Sequence, residues 1–186
     1  MAPLRMLTEV LDRLWASWRS GYVSTAAAQV GVDAAAGRCV FCALAELGPS
    51  ASSGVVHVDD RSMCVLNAFP YGSGHLLVLP RRHEAHLLSL SEEESGVIWS
   101  TARRAVAALE QAYQPDGVNL GANLGEAAGA GIPAHLHLHV LPRWAGDTNF
   151  MTSIAGTRVL PESLEMTWER VSAAWPAIEQ GVPIAD

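Results

Sequence analysis

Three histidines alternate with leucine in His135-Leu136-His137-Leu138-His139. Successive side chains of an extended strand point to opposite faces. This spacing therefore puts three imidazoles on one face and turns Leu136, Leu138 and Val140 into a core. Same-face neighbours lie roughly 6.5–7 Å apart, the scale of a phosphate or a metal ion. Near neutral pH, imidazole serves as nucleophile, acid, base or ligand. A lone strand histidine is usually structural, but three of the chain's seven in strict alternation read as an active site.

The segment just before them, Asn123 to Pro133, contains Gly125, Gly129 and Gly131. Glycines allow positive φ and close backbone approach, so N–H groups of Gly129 and Gly131 can converge on an anion. Such loops are common as plain turns. Directly before alternating histidines, an anion cradle beside a nucleophilic ring predicts attack at phosphorus. A second constellation is Cys39-Val40-Phe41-Cys42. Its C-x-x-C spacing suits a zinc knuckle that needs two further ligands, a redox dithiol, or two unrelated buried cysteines. No thioredoxin-like βαβ pattern surrounds it. Cys64 sits in an apolar run and reads as packing.

The elements that must position these residues follow from periodicity. Leu4, Leu7, Leu11, Leu14, Trp15 and Trp18 predict an amphipathic helix over 3–19, followed by an Ala/Gly-rich connection from Ser24 to Gly37. Short strands are expected at Val55–Val58, Met63–Asn67 and His75–Leu79, with a turn-rich break from Phe69 to Gly74. Ser91-x-x-Glu94 is a capping box opening a long helix, with Ile98, Ala102, Ala105, Val106 and Leu109 as its buried stripe. Pro115-Asp116-Gly117 ends that helix. Strands are then expected at Val118–Asn123, at 135–141 and near Phe150–Ile154. Pro161-Glu162 opens a last helix, which Pro176 stops. Trp15, Trp18 and Trp99 are expected to pack, His57 and His86 to lie at edges or on the surface. Trp144 is placed to line the pocket, while Phe41 and Leu66 are placed either to sandwich a base or to pack in the core.

Length, 186 residues, suits one domain with a few appendages. Net charge is −7, which argues against a general nucleic-acid binder. All twelve basic residues are arginine, so Schiff-base and P-loop lysine chemistry are excluded. No apolar run approaches the roughly 20 residues of a membrane span. Glu9, Asp12 and Arg13 interrupt the first apolar residues, so they do not read as a signal peptide. Three cysteines are too few for a disulfide scaffold and point to a reducing cytoplasm.

Asn-x-Gly, a small-residue loop and then His-φ-His-φ-His-φ-φ-Pro resemble the histidine triad (HIT) superfamily of nucleotide hydrolases and transferases. Cys39-Val40-Phe41-Cys42 resembles that family's C-x-F-C. Asn67 with Gly74-His75-Leu76-Leu77-Val78-Leu79-Pro80-Arg81-Arg82-His83 resembles its central strand pair. Pro142-Arg143-Trp144 through Asp147-Thr148-Asn149-Phe150-Met151 is similar to a bacterial branch of diadenosine tetraphosphate phosphorylases and hydrolases. The resemblance implies an α+β fold: a mainly antiparallel five-stranded sheet, one long central helix, and N- and C-terminal helices. It divides a single domain into a leading helix and linker (1–37), a core (38–155) and a helical extension (156–186).

It further implies that His137 attacks the α-phosphorus of a nucleotide, with dinucleoside polyphosphates such as diadenosine tetraphosphate as the expected substrates, to form a covalent nucleotidyl intermediate. His139 would donate a hydrogen bond to the phosphate or the leaving oxygen, His75 would stand near the triad, Asn67 would take the ribose position and Asn123 would lie near the phosphate. Gln-Ser, frequent in the family's loop, is replaced here by Ala130-Gly131. Phosphate contacts would then fall to backbone N–H groups or to Arg81, Arg82 or Arg143. His83 and His135 are implied as partners of Cys39 and Cys42 in a structural zinc site, and an edge-to-edge homodimer is implied as the assembly. Two other readings stand beside these: a catalytic zinc held by His135, His137 and His139, and a nucleotide-binding module without turnover.

Overall fold

The computed structural model describes residues 38–147 and 160–176. The expected helix over 3–19, its connection and the strand near 150–154 lie outside these residues. Five strands form one antiparallel sheet: β1 (Val55–Val58), β2 (Ser62–Leu66), β3 (Leu76–Pro80), β4 (Gly117–Ala122) and β5 (Leu138–Arg143), in the order β1-β2-β3-β5-β4. Three helices accompany it: α1 (Val40–Leu47), α2 (Glu92–Tyr113) and α3 (Leu164–Ala174). The architecture is α+β, as expected. Among the described residues, no helix is long and apolar enough to cross a membrane.

Strand alternation divides the core into two clusters, one on each face of the sheet. Cys64, Leu66, Leu76, Val78 and Val140 face α2, meeting Ile98, Ala102, Ala105, Ala108 and Leu109, with Val171 and Ala174 of α3. On the opposite face Val55, Met63, Val65, Leu77 and Leu79 meet Phe41 and Ala45 of α1. The long helix starts where its capping box predicts. The Ser91 hydroxyl accepts from the Glu94 backbone N–H, while the Glu94 carboxylate accepts from the Ser91 N–H at 2.9 Å. Gln114, in the left-handed conformation, closes it ahead of Pro115. Ser163 caps α3, two residues later than Pro161 suggests, and Trp168 of that helix donates from Nε1 to the Val55 carbonyl at 2.7 Å.

Two expectations need correction. Trp99 does not pack: it is 56% exposed on the outer face of α2, because the inward stripe is completed by Thr101 and Ala108. The histidine strand is also shorter than expected. The last β3–β5 pair is Val78 with Leu138, so only His139 lies within the ladder. His135 and His137 precede it, and other bonds must hold them.

Gly74 sets the approach of the β2–β3 turn to the helix layer. Its φ is +74°, and a Cβ there would stand 3.0 Å from Leu109 Cδ2, 3.0 Å from Pro142 Cγ and 3.1 Å from Tyr113 Cε2. A left-handed conformation disfavours L side chains by roughly 1–2 kcal/mol and overpacking adds about 1–3. Gly74→Ala is therefore expected to destabilise the fold by roughly 2–5 kcal/mol. Urea denaturation followed by circular dichroism checks this, and an unchanged midpoint would remove Gly74 from the packing argument.

Candidate functional site

Four ligand-type side chains converge where α1 begins. Cys39 is the residue capping that helix, Cys42 lies in its first turn, His83 follows β3 and His135 precedes β5. Their donor atoms all lie within 4.8 Å of one another. Sγ–Nδ1 separations are 3.3 Å for Cys39–His135, 3.6 Å for Cys42–His83 and 3.8 Å for Cys42–His135. A tetrahedral zinc with Zn–S about 2.3 Å and Zn–N about 2.0–2.1 Å sets such ligands about 3.6 Å apart. Donor chemistry and spacing both fit zinc.

His135 is prepared for that role from its other side. Its ring is buried, and Nε2 lies 2.9 Å from the Pro80 carbonyl. A carbonyl only accepts, so the proton sits on Nε2 and the Nδ1 lone pair faces the sulfurs. Burial, with lesser contributions from His83 and His137, depresses its pKa to about 4, and the ring is neutral at pH 7.

His137 carries the opposite tautomer. Its Nδ1 donates to the carbonyl of His135 at 2.8 Å, which leaves the Nε2 lone pair without a proton. The residue is 5% exposed and burial lowers its pKa, so this lone pair is available at neutral pH. Phe41 packs against both rings, with centroids 5.5 Å from His135 and 5.4 Å from His137.

A relay fixes the polarity of the third histidine. The Tyr71 backbone N–H donates to His75 Nδ1 at 3.0 Å, so the His75 proton is on Nε2. Nε2 of His75 then donates to His139 Nδ1 at 2.9 Å, which puts the His139 proton on Nε2. That buried Nε2 has no hydrogen-bond partner. Burial, then the neighbouring His137, depress the His139 pKa to about 4. Tyr71 stacks over His139 at 5.7 Å and an interplanar angle of 19°. Asn67 supports the relay: its Oδ1 accepts from the Phe69 N–H at 3.0 Å, and its Nδ2 lies 3.4 Å from His75 Nδ1.

His137 and His139 open on one cavity, whose wall also includes Phe41, Asn67, Tyr71, Gly129 and Gly131. Asn123 holds the loop, with Nδ2 3.4 Å from the Gly129 carbonyl. The structure thus brings together the expected Phe41, Asn67, His75, Gly129, Gly131, His137 and His139, with Asn123 just behind.

Four candidates lie elsewhere. Leu66 alternates onto the α2 side of the sheet, where it packs with Cys64 and Leu76, so it is a core residue and no partner for Phe41. Arg143 is committed to Asp147, at 2.5 and 2.8 Å, and to Asn119 at 2.7 Å. Trp144 rests edge-on against Tyr113 at the end of α2, outside the cavity wall. Arg82 is likewise tied to Glu94 and Glu84. The residues that sequence reasoning missed are Phe69, Tyr71, Leu77 and Ile132, which complete the cavity wall. An aromatic pair inside the turn between two strands was the available signal for Phe69 and Tyr71. His135, His137 and His139 do not meet on one ion, since His135 turns to the cysteines and His139 to His75.

Comparison with known proteins follows the same lines. The HIT domain pattern matches residues 49–146. An AP-4-A phosphorylase of Mycobacterium tuberculosis is 35% identical over 167 residues, covering 89% of this chain and 85% of that protein. The bifunctional bis(5'-adenosyl)-triphosphatase/adenylylsulfatase FHIT of Arabidopsis thaliana is 32% identical over 93 residues, half of this chain and 51% of that protein. Among solved structures, a Zn-bound histidine triad family protein from Mycobacterium smegmatis superposes with a TM-score of 0.60 at 29% identity, covering 74% of this chain and 92% of that one. With the pattern matched over more than half of its length and borne on the same sheet, the chain belongs to the histidine triad (HIT) family.

Proposed function

We propose that this protein is a nucleotide hydrolase or nucleotidyltransferase that works through a covalent nucleotidyl intermediate on His137, with dinucleoside polyphosphates such as diadenosine tetraphosphate as substrates. One observation carries the reading. Two neighbouring imidazoles on one cavity have opposite tautomers, a free lone pair on His137 Nε2 and an unpartnered N–H on His139 Nε2. The substrate class is supported by the AP-4-A phosphorylase relative.

In the first step, His137 Nε2 forms a bond to the α-phosphorus as the bond to the bridging oxygen breaks. His139 donates its Nε2–H to the phosphoryl or leaving oxygen as charge grows there. The rest of the dinucleotide leaves as a nucleoside polyphosphate anion. In the second step, water or inorganic phosphate attacks phosphorus, the P–N bond breaks, His137 recovers its lone pair, and the proton of the attacking water is released to solvent. His75 keeps the His139 proton on the outward nitrogen, and Asn67 and Tyr71 hold His75. Gly129 and Gly131 let the loop backbone approach the phosphates, a role that Arg82 and Arg143, committed elsewhere, do not fill. Phe41 offers a face for the base.

His137→Ala is expected to reduce turnover by on the order of 10³-fold or more, and His139→Ala by about 10²–10³-fold. Rapid mixing with diadenosine tetraphosphate, a neutral quench and intact-mass spectrometry should show a nucleotidyl adduct on wild type alone. Faster discharge of that adduct by phosphate would mark a phosphorylase. Equal consumption of substrate by wild type and His137→Ala would sink the nucleophile assignment.

We infer that Cys39, Cys42, His83 and His135 hold a structural zinc. Four protein ligands leave the ion no open position, so its contribution is to anchor His135 and the backbone leading to His137. Chelation is expected to lower the melting temperature by roughly 5–15 °C, with activity lost slowly in step. Elemental analysis with differential scanning calorimetry checks this. Protein without bound zinc whose melting point ignores added zinc would contradict it.

The β4 edge of the sheet supports a homodimer. β4 pairs on one side only, with β5, and no charged residue stands between Asp116 and Glu126 to protect its outer edge. Trp99 and Leu120 are exposed apolar residues of the kind that a partner covers. Leu120→Lys should convert a particle of twice 19.8 kDa into a monomer by sedimentation velocity. A monomeric wild type at micromolar concentration would refute the assembly. A single domain with α3 docked on its sheet, in a reducing cytoplasm, completes the reading.

A further inference from the structure

We propose that Cys39 and Cys42 form a redox modification site, at which a hydroperoxide converts the two metal-ligating thiolates into a disulfide, expels the metal and disables His137. The inference rests on the structural-zinc reading above and goes beyond it by assigning the cysteines a second, oxidised state.

Geometry makes the pair competent. Cys39 caps α1 and Cys42 lies in its first turn. Residues three apart at a helix start lie about 5–6 Å from one another, within reach of a bridge once the side chains rotate. Cys39 is the easier to move, because its φ and ψ of −67° and 126° are extended rather than helical. Access separates this pair from the third thiol. Cys39 and Cys42 are partly exposed and His83 is exposed, whereas Cys64 is sealed in the core at 0%. A solvent-borne oxidant meets the first two and not the third.

The chemistry balances. One thiolate sulfur attacks a peroxide oxygen, the O–O bond breaks, and a sulfenic acid and hydroxide form. The second thiolate attacks the sulfenic sulfur and expels another hydroxide, closing the S–S bond. Two electrons pass from the sulfurs to the peroxide. Neither disulfide sulfur keeps the charge that held the ion, so zinc loses two of its four ligands and leaves.

The consequence reaches the cavity through the backbone. His135 loses its sulfur partners on Nδ1, and its carbonyl is the acceptor that orients His137. No β3–β5 ladder pair supports residues 135–137; the Leu136 N–H bond to the Glu84 carbonyl and the His135 Nε2–H bond to Pro80 persist, and the sulfur side of the tether is what the oxidation removes.

The test uses the zinc-loaded full chain and hydrogen peroxide. Zinc release is read with pyridylazoresorcinol, covalent change by intact mass, and remaining thiols by alkylation after denaturation. Zinc should appear in step with a loss of about 2 Da, the mass of two hydrogens relative to the thiol form. Alkylatable thiols should fall from three to one. Nucleotide turnover should drop roughly 10–100-fold in parallel and return with reductant and zinc. Cys64→Ala should release zinc identically. Retention of zinc and all three thiols, or mass gained as oxygen with no hydrogen lost, would overturn the inference while leaving the zinc site intact. A reduced chain that takes up no zinc on dialysis would instead overturn the zinc reading, and this inference with it.

Discussion

Everything at this site depends on the tether of His135, whose two ring nitrogens and main-chain carbonyl are each committed. Nε2–H donates to the Pro80 carbonyl, Nδ1 faces the cysteine sulfurs, and the main-chain carbonyl accepts a hydrogen bond from His137 Nδ1–H. The sheet cannot do this work, because β3 ends at Pro80 and its pairing with β5 ends one residue after His137. A strand entering a sheet without ladder bonds has soft backbone angles. One main-chain bond, from the Leu136 N–H to the Glu84 carbonyl at 2.7 Å, holds this segment, and the His135 side chain adds to it the rigidity that a full ladder would have given. It also explains why the metal-type cluster lies beside the cavity and not inside it.

Polarity along the histidines is the second constraint. Burial lowers the pKa of His135, His137 and His139, so all three are neutral near pH 7 and each ring has one donor and one acceptor nitrogen. Fixing one nitrogen therefore fixes the other. The His135 carbonyl makes His137 a base at Nε2, and the Tyr71 N–H makes His139 a donor at Nε2 two bonds further along. Protonation would erase the difference, since an imidazolium has only donors. Low pKa values thus preserve the pairing of a bare lone pair with an N–H donor.

Much of this was legible in the sequence, for local reasons. The Ser91–Glu94 box, the Ile98–Leu109 stripe and the period of two in the histidines all depend on neighbours within a few residues. Leu66, Arg143 and Trp144 were not legible because their surroundings are set from a distance. Leu66 follows the phase of β2, which turns odd residues to α1 and even ones to α2. Arg143 and Trp144 lie on or just past the end of β5, but Asp147, Asn119 and Tyr113 capture them there. Tyr71 was hidden for the converse reason. It belongs to a turn by composition, and only closure of the β2–β3 hairpin brings its ring over His139.

The same hairpin gives meaning to an amide at position 67. His75 Nδ1 must accept if the relay is to leave a proton on the outer nitrogen of His139, and both groups beside it are N–H donors: the Tyr71 backbone and the Asn67 carboxamide. An ionised carboxylate here would offer an acceptor to the same nitrogen, favour the His75 proton on Nδ1 and reverse every donor and acceptor out to His139. The neutral amide avoids that competition. Its orientation is not free, because Oδ1 is held by the Phe69 N–H and the amide nitrogen is thereby turned to His75. Asn67 therefore bears on the proton position of His139 only through His75, and the turn that carries Phe69 and Tyr71 fixes both links.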